Sequence, residues 1–198
     1  VNPLYTTDEL AHQLKDSGAK AIFILDNFAV TLEHALPHLP DMQHIIVSKM
    51  GDFLGFKGRI VDFVLKYVKK MIPAWKIDNA ISFKQVLAES QNLAMTPVTL
   101  THDDLAFLQY TGGTTGVAKG AMLTHGNLVA NVLQITEWCK AAFDGMSEQE
   151  QPVFLQALPL YHIFGFTAGA MYCMHIGGQA LLIANARDIH AMIGDLHK

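Results

Sequence analysis

The sequence has few cysteines and no long apolar run. Only Cys139 and Cys173 occur among its 198 residues, and neither stands in a CxxC motif or at a zinc-ligand spacing. Neither a disulfide framework nor a structural zinc site is supported, which favours a reducing, cytoplasmic location. No signal peptide opens the chain, and no stretch of about 18 apolar residues could cross a bilayer.

The sequence also lacks an excess of positive charge. Its net charge is −4 and its pI is near 6.2, whereas affinity for a phosphate backbone comes chiefly from clustered Lys and Arg. A nucleic-acid partner is therefore not expected. The composition is instead that of a globular protein, since 51% of the residues are apolar and 16% are charged.

Helix-like and strand-like patterns alternate along the chain, and short apolar runs of strand type stand between segments of helical spacing. Such alternation predicts an α/β fold with mixed, largely parallel sheets covered by helices. The predicted strands are 21–26, 44–48, 105–110, 120–125, 153–160 and 179–184. The predicted helices begin at Thr7, near 29, 59, 82, at Thr124, near 163 and at Asp188.

Two stretches interrupt this alternation. A Thr/Pro-rich segment at 96–101 is typical of a linker, and the polar stretch AFDGMSEQEQ at 142–151 indicates a subdomain boundary. We therefore expect a first α/β subdomain over 1–145 and the start of a second over 146–198. The chain begins without Met and stops within a helical pattern, so we expect it to be part of a longer protein.

The stretch YTGGTTGVAKG, residues 110–120, joins two predicted strands. Its glycines let backbone N–H groups point into one concavity, and its threonine hydroxyls and lysine ammonium can bind phosphate oxygens. The spacing matches neither the Walker pattern nor GxGxxG. The residues suit a polyphosphate, but a hairpin loop whose glycines only make turns remains the alternative.

This stretch closely resembles the phosphate-binding signature of the adenylate-forming (AMP-binding) enzyme superfamily. LPLYHIFG at 158–165 resembles a second motif of that family, and GAMLTHGNL and NPLYTTDEL extend the resemblance over the whole chain. The chain is most similar to bacterial long-chain fatty acid–CoA ligases, in which alanine stands before the lysine, as Ala118 does here. The resemblance implies part of the large N-terminal α/β domain of such an enzyme.

The family's chemistry gives these residues roles. A fatty carboxylate attacks the α-phosphate of ATP, pyrophosphate leaves, and the thiol of coenzyme A captures the acyl adenylate. The resemblance implies that Lys119 orders the loop against the phosphates and that Thr114 faces Mg²⁺. It implies a nucleotide-binding set consisting of Tyr110, Thr111, Gly112, Gly113, Thr114, Thr115, Gly116 and Lys119.

The second motif supplies one further candidate. His162 follows a strand and opens a helix, and in the family this position lies beside the acyl carboxylate and the coenzyme A entrance. We therefore expect catalytic roles for Lys119 and His162. Phe166 stands where some long-chain members carry a tryptophan gate, and core packing is its favoured role. Met171 and Met174 either fill a core or line an acyl tunnel.

Segment 49–76 carries seven of the 14 Lys and Arg residues and only two acidic ones. A helix over 59–72 would place Arg59, Asp62, Lys66, Lys69 and Lys70 on one narrow face and apolar side chains around the rest. Such a helix can lie in an anionic membrane surface. An ordinary solvated face on a core helix is the alternative.

The predicted function is thus the activation of a long-chain fatty acid by an acid–thiol ligase that uses ATP, Mg²⁺ and coenzyme A. An adenylate-forming ligase for an aryl or amino acid and a non-catalytic lipid- or membrane-binding module remain alternatives. The family's later motifs, including the magnesium-binding Glu and the C-terminal Lys, have no match in residues 1–198. The isolated chain is therefore predicted to be inactive, and its oligomeric state is not predicted.

Overall fold

The structure, a computed structural model, describes residues 1–111, 118–143, 145–147, 150–183 and 185–196. The chain forms two compact units, Val1–Val98 and Thr99–Lys198. The division falls within the segment 96–101 that the sequence predicted as a linker. It does not fall in the polar stretch at 142–151, so a subdomain boundary after residue 145 remains a prediction.

The first unit is built on a parallel three-stranded sheet in the order β1-β2-β3. Residue Ala21 pairs with His44, and Ile45 with Ala80. Its strands are β1 (Ala21–Leu25), β2 (His44–Ser48) and β3 (Ala80–Ser82), and its helices are α1 (Thr7–Asp16), α2 (Ala29–Ala35), α3 (Gly55–Phe63) and α4 (Phe83–Ser90). Short 3₁₀ turns cover Asp26–Phe28 and Leu36–His38, and a π turn covers Val64–Val68.

Helices α1 and α2 pack against this sheet and form the core of the first unit. Thr6 caps α1, because its side chain accepts from Glu9 N–H while the Glu9 carboxylate accepts from Thr6 N–H at 2.8 Å. Leu32 and Ile45 are fully buried at the centre of the core. The remaining buried apolar members are Leu10, Ala11, Leu14, Ile22, Ala29, Ala35, Leu39, Val47 and Ile77.

The predicted helix over 59–72 is wrong in its bounds. Helix α3 begins at Gly55, its last turn widens into the π turn Val64–Val68, and Lys70 has a φ of 51°, which an α-helix does not allow. The side chain of Asp62 also turns inward, where its Oδ1 accepts from Gly51 N–H at 2.9 Å. The predicted narrow face of Arg59, Asp62, Lys66, Lys69 and Lys70 is therefore not formed as one helical face.

The second unit contains two separate two-stranded sheets. Strands β4 and β5 pair antiparallel, and β6 and β7 pair parallel. Its strands are β4 (Leu105–Thr111), β5 (Lys119–Thr124), β6 (Val153–Gln156) and β7 (Gln179–Leu182), and its helices are α5 (His125–Cys139), α6 (Tyr172–His175) and α7 (Ile189–Leu196). A 3₁₀ turn covers Lys140–Phe143, and a π-helical segment covers Gly165–Met171.

These sheets confirm the predicted α/β class, because two of the three are parallel and one is an antiparallel hairpin. Thr124 caps α5 as predicted, and its capping box is completed by Asn127. Strand β6 is shorter than the predicted 153–160, because the Gln156 side chain turns back to the Leu158 carbonyl and Pro159 cannot donate to a ladder. Within the described part of the chain, no helix is long and apolar enough to cross a membrane.

Candidate functional site

The candidate loop is carried by the β4–β5 hairpin. Residues Gly112, Gly113, Thr114, Thr115 and Gly116 of the predicted set lie outside the described residues. The strand ends on either side of them are described, and Thr111 at the end of β4 pairs in register with Lys119 at the start of β5. Both are exposed. The hairpin therefore holds the predicted hydroxyl and the predicted ammonium group opposite each other where the loop leaves the sheet.

One register position further along, Tyr110 lies opposite Gly120. A Cβ atom on residue 120 would lie only 2.9 Å from Cζ of the tyrosine ring. The ring thus occupies the space that a side chain at 120 would need. This contact explains, in terms of packing, why glycine follows Lys119.

Gln109 ties the hairpin to the second motif. Its side-chain Nε2 donates a 3.0 Å hydrogen bond to the Tyr161 carbonyl, across 52 positions of sequence. The bond connects the residue before Tyr110 with the residue before His162, so the structure brings the two predicted motifs together. Sequence analysis did not select Gln109; its only signal is an uncharged polar residue within the apolar strand LAFLQY.

His162 lies in the turn that precedes the π-helical segment, with an exposed side chain. Its backbone N–H donates to the Pro159 carbonyl at 3.0 Å, and its Nδ1 accepts from the Phe164 N–H at 3.2 Å. In a neutral imidazole with an accepting Nδ1, the proton is on Nε2. The local fold therefore selects one tautomer of His162 and offers Nε2–H as a donor.

The helix that follows His162 is fitted around a buried glutamine. Gln156 is 6% exposed, and its Nε2 donates to the Leu158 carbonyl at 2.5 Å. A Cβ on Gly169 would overlap this glutamine, and one on Gly165 would overlap the Pro159 carbonyl beside it. The Phe166 ring packs against Phe107 with 4.6 Å between ring centroids, which agrees with a packing role.

Met171 of the π-helical segment and Met174 of α6 line an open apolar groove of about 430 Å³, and α5 lies on its other side. Met174 is 66% exposed, so it does not fill a core within the described part of the chain. Leu128 and Val132 of α5 form the opposite wall.

The acidic residue at the start of β4 has a structural role. Asp104 accepts from Thr101 N–H at 2.6 Å and from Thr101 Oγ1 at 2.9 Å. These hydrogen bonds lower the pKa of Asp104, so it remains a carboxylate that closes a turn. Of the residues that the structure describes, no three His, Cys, Asp or Glu side chains are grouped so that they could hold a metal ion.

Comparison with known proteins identifies the family. The sequence profile described as AMP-binding enzyme matches residues 1–198. The chain belongs to the AMP-binding enzyme family. This is the family that the resemblance of YTGGTTGVAKG and LPLYHIFG implied.

Curated relatives within this family are longer than the chain. The long-chain-fatty-acid–CoA ligase of Salmonella typhimurium is 47% identical over 199 aligned residues, which cover all of this chain and 35% of that protein. The protein of the same name from Haemophilus influenzae gives the same identity and coverage, and that from Bacillus subtilis is 33% identical over 34% of its length. The chain thus spans about a third of these relatives.

Solved structures confirm the fold of this AMP-binding chain. An anthranilate CoA ligase solved with anthranoyl-AMP matches 98% of the chain and 31% of its own length, with a TM-score of 0.69 and 18% identity. A luciferase-like enzyme from the mealworm Zophobas morio matches 99% of the chain and 38% of its own length, with a TM-score of 0.66 and 15% identity. At these identities the likeness concerns the fold alone.

Proposed function

We propose that this chain is the phosphate-binding portion of an ATP-dependent long-chain fatty acid–CoA ligase. The observation that carries the proposal is the 47% identity, over all of the chain, to relatives of that name. The full-length enzyme activates a fatty acid as its acyl adenylate and transfers the acyl group to coenzyme A.

In this proposal the hairpin binds the nucleotide. Tyr110, Thr111 and the loop Gly112–Gly116 cradle the β- and γ-phosphates, and the Thr114 hydroxyl faces Mg²⁺. The pairing of Thr111 with Lys119 supports the assignment, because it provides a hydroxyl and a cation at the two strand ends that flank the glycine-rich sequence. Bound MgATP supplies an α-phosphate with pyrophosphate as leaving group, and donors aimed at the phosphate oxygens stabilise the developing charge.

His162 acts on the acyl side of the reaction. The Phe164 N–H bound at Nδ1 favours the tautomer with the proton on Nε2. From this position the Nε2–H can donate to the substrate carboxylate and orient it for attack. The bond between Gln109 and the Tyr161 carbonyl links the residue before His162 to strand β4, which leads to Thr111.

The assignment of the loop is tested by Lys119→Ala and Thr114→Ala in the full-length enzyme. Both variants are expected to slow acyl-AMP formation in a single turnover by about a hundredfold, since charge stabilisation by a single contact is worth roughly that much. Fatty acid binding should change little, and Lys15→Ala, an exposed lysine in α1, is the control. Rates equal to those of the control would remove the loop from the mechanism.

Substrate class is tested by pyrophosphate exchange with acids of different kinds. Long-chain fatty acids are expected to support exchange by the full-length enzyme, whereas exchange only with aryl or amino acids would favour another adenylate-forming ligase. No exchange with any acid, but retained lipid binding, would favour a non-catalytic lipid-binding module. The isolated 198-residue chain is expected to give no exchange, because the family's later catalytic motifs have no match in it.

We propose a cytoplasmic location for this enzyme, with peripheral contact to an anionic membrane surface through segment 59–72. Two observations support the contact. The segment is rich in cations, and a long-chain substrate partitions into bilayers.

A further inference from the structure

Gln156, the last residue of β6, takes part in the sheet and in the turn that follows it. It pairs with Leu182 of β7, and its carbonyl oxygen accepts from the Ile183 N–H at 3.0 Å. Its side-chain Nε2 donates to the Leu158 carbonyl at 2.5 Å, and the residue is 6% exposed. A buried amide is costly unless it is hydrogen-bonded, so a glutamine within the apolar run VFLQALPL points to a specific use.

The π-helical segment Gly165–Met171 is shaped around this amide. A Cβ on Gly169 would overlap Oε1 of Gln156. A Cβ on Gly165 would lie 3.0 Å from Nε2 of Gln156 and 2.5 Å from the Pro159 carbonyl oxygen. Since glycine has no Cβ, the segment can approach the amide and the turn this closely. The two glycines thus leave a notch in the helix, and the amide of Gln156 occupies it.

The carbonyls beside this amide belong to the turn that carries His162. Nε2 of Gln156 binds the Leu158 carbonyl, and the next carbonyl, that of Pro159, accepts from the His162 N–H at 3.0 Å. The His162 carbonyl accepts from the Phe166 N–H at 2.9 Å, in the first turn of the helix. The backbone of His162 is therefore held on both sides, although its side chain is exposed.

A second amide holds the same turn from strand β4. Gln109 donates to the Tyr161 carbonyl at 3.0 Å, so two glutamine side chains from different strands bind two carbonyls of this turn. Gln156 is the buried member of the pair. Packing in the notch fixes its amide, and its donor is thereby pre-organised toward the Leu158 carbonyl.

We propose that Gln156 is a positioning residue for His162, because its amide holds the turn in the place from which the imidazole meets the acyl substrate. Gln156 acts through the Leu158 and Pro159 carbonyls and contacts no substrate atom. The inference rests on the proposed function, in which Nε2–H of His162 donates to the fatty carboxylate. A displaced turn would misdirect that donor, and catalysis depends strongly on such alignment.

The first test is Gln156→Met in the full-length enzyme, which keeps the length of the side chain and removes the donor. Single-turnover formation of acyl-AMP should slow about twofold to tenfold, the range expected for one hydrogen bond. The KM for ATP should not change, because the phosphate contacts are retained. Thr167→Val is the matched control, since Thr167 is 8% exposed and its Oγ1 donates to the Ile163 carbonyl at 2.9 Å within the same helix. The control should lose stability but keep the wild-type rate.

A second substitution separates the donor from the space that the side chain fills. Gln156→Glu should be slower than Gln156→Met at alkaline pH, because a carboxylate repels the Leu158 carbonyl. Burial raises the pKa of such a carboxyl, and the protonated form can donate again. The rate relative to wild type should therefore recover as pH falls, whereas the relative rate of Gln156→Met should not depend on pH.

The notch is tested by a double-mutant cycle. Gly169→Ala should displace the amide and slow adenylation about as much as Gln156→Met does. In a Gln156→Ala background the added methyl group meets no amide, so the same substitution should cost severalfold less. Equal costs in both backgrounds would show that the amide does not occupy the notch, and the proposal would then fail.

A readout without substrate completes the test. The imidazole nitrogen shifts of His162, assigned by their loss in His162→Gln, should place the proton on Nε2 in the wild type and report a tautomer mixture in Gln156→Met. The proposal is overturned if the shifts and rate of Gln156→Met match the wild type, if Gln156→Glu does not recover at acid pH, or if Thr167→Val is slowed equally. If the wild-type enzyme activates no fatty acid, the proposed function fails, whereas the tautomer measurement still decides whether Gln156 positions His162.

Discussion

Gln109→Glu tests whether the hydrogen bond between the two motifs positions the reacting groups. The substitution keeps the shape of the side chain and removes the Nε2 donor that binds the Tyr161 carbonyl at 3.0 Å. A carboxylate can only accept, so it repels that carbonyl oxygen. Gln109→Met removes the donor without adding charge and should have a smaller effect.

The expected magnitude follows from the exposure of the bond. A typical intramolecular hydrogen bond contributes about 0.5–1.5 kcal/mol, and more when a buried group is left unpaired. Gln109 is half-buried and Tyr161 is 39% exposed, so water can replace the lost donor and the lower part of this range applies. If the bond positions His162 relative to the nucleotide, a loss of about 0.5–1 kcal/mol lowers the rate of adenylation about twofold to fivefold.

The assay is single-turnover formation of acyl-AMP by the full-length enzyme at saturating ATP and fatty acid. Gln151→Glu is a matched control, because the Gln151 Nε2 donates a similar 2.9 Å bond to the Gly177 carbonyl, in a part of the unit to which no catalytic role is assigned. Gln109→Glu should lower the rate while the control does not, although both lose similar stability. An unchanged rate, or equal losses in both variants, would refute the positioning role.

Three further predictions concern packing and buried charge around the sheets. Gly120→Ala would place a Cβ against the Tyr110 ring and is expected to push the ring aside. Because overpacking costs about 1–3 kcal/mol and the ring can shift, ATP binding measured by calorimetry should weaken about threefold to tenfold. Gly58→Ala would drive a methyl group into the Gly51 backbone and should destabilise the first unit by at least about 1 kcal/mol in urea unfolding. Gly55→Ala separates this overlap from backbone strain, because its added Cβ meets no neighbouring atom but its φ of 56° disfavours any side chain. Burial, and secondarily Asp62, raise the pKa of Asp26, so the stability that this residue contributes is present at acid pH and is lost as pH rises through the raised pKa. Asp26→Asn should therefore raise the free energy of unfolding at neutral pH, and a gain that persists below the ordinary pKa of aspartate would contradict this cause.

Much of the local structure was predictable because it depends on short-range patterns. The strand HIIVS was predicted with its observed bounds, and Thr124 was recognised as the cap of α5. Strand β3 was missed, since three residues are too few for a hydrophobic period to be recognised and their strand conformation depends on pairing with β2. The bounds of the 59–72 helix were wrong because a wheel of constant 3.6-residue period cannot represent the π turn.

For the candidate site, the sequence by itself determined the family to which its motifs belong. A glycine-rich run with threonines and a lysine is a local pattern, and each of these residues can be recognised without knowledge of its neighbours in space. Their roles as a phosphate site remain predictions, and Gly112–Gly116 lie outside the described residues. The sequence also showed that segment 49–76 is basic, because charge is a property of composition.

Tertiary structure alone decided how these patterns are arranged. It placed Lys119 opposite Thr111, joined the two motifs through Gln109, and turned the Asp62 carboxylate toward the Gly51 N–H. Each of these results depends on strand register or on contacts between residues far apart in the chain. Such contacts are fixed by the packing of whole elements, which no short stretch of sequence specifies.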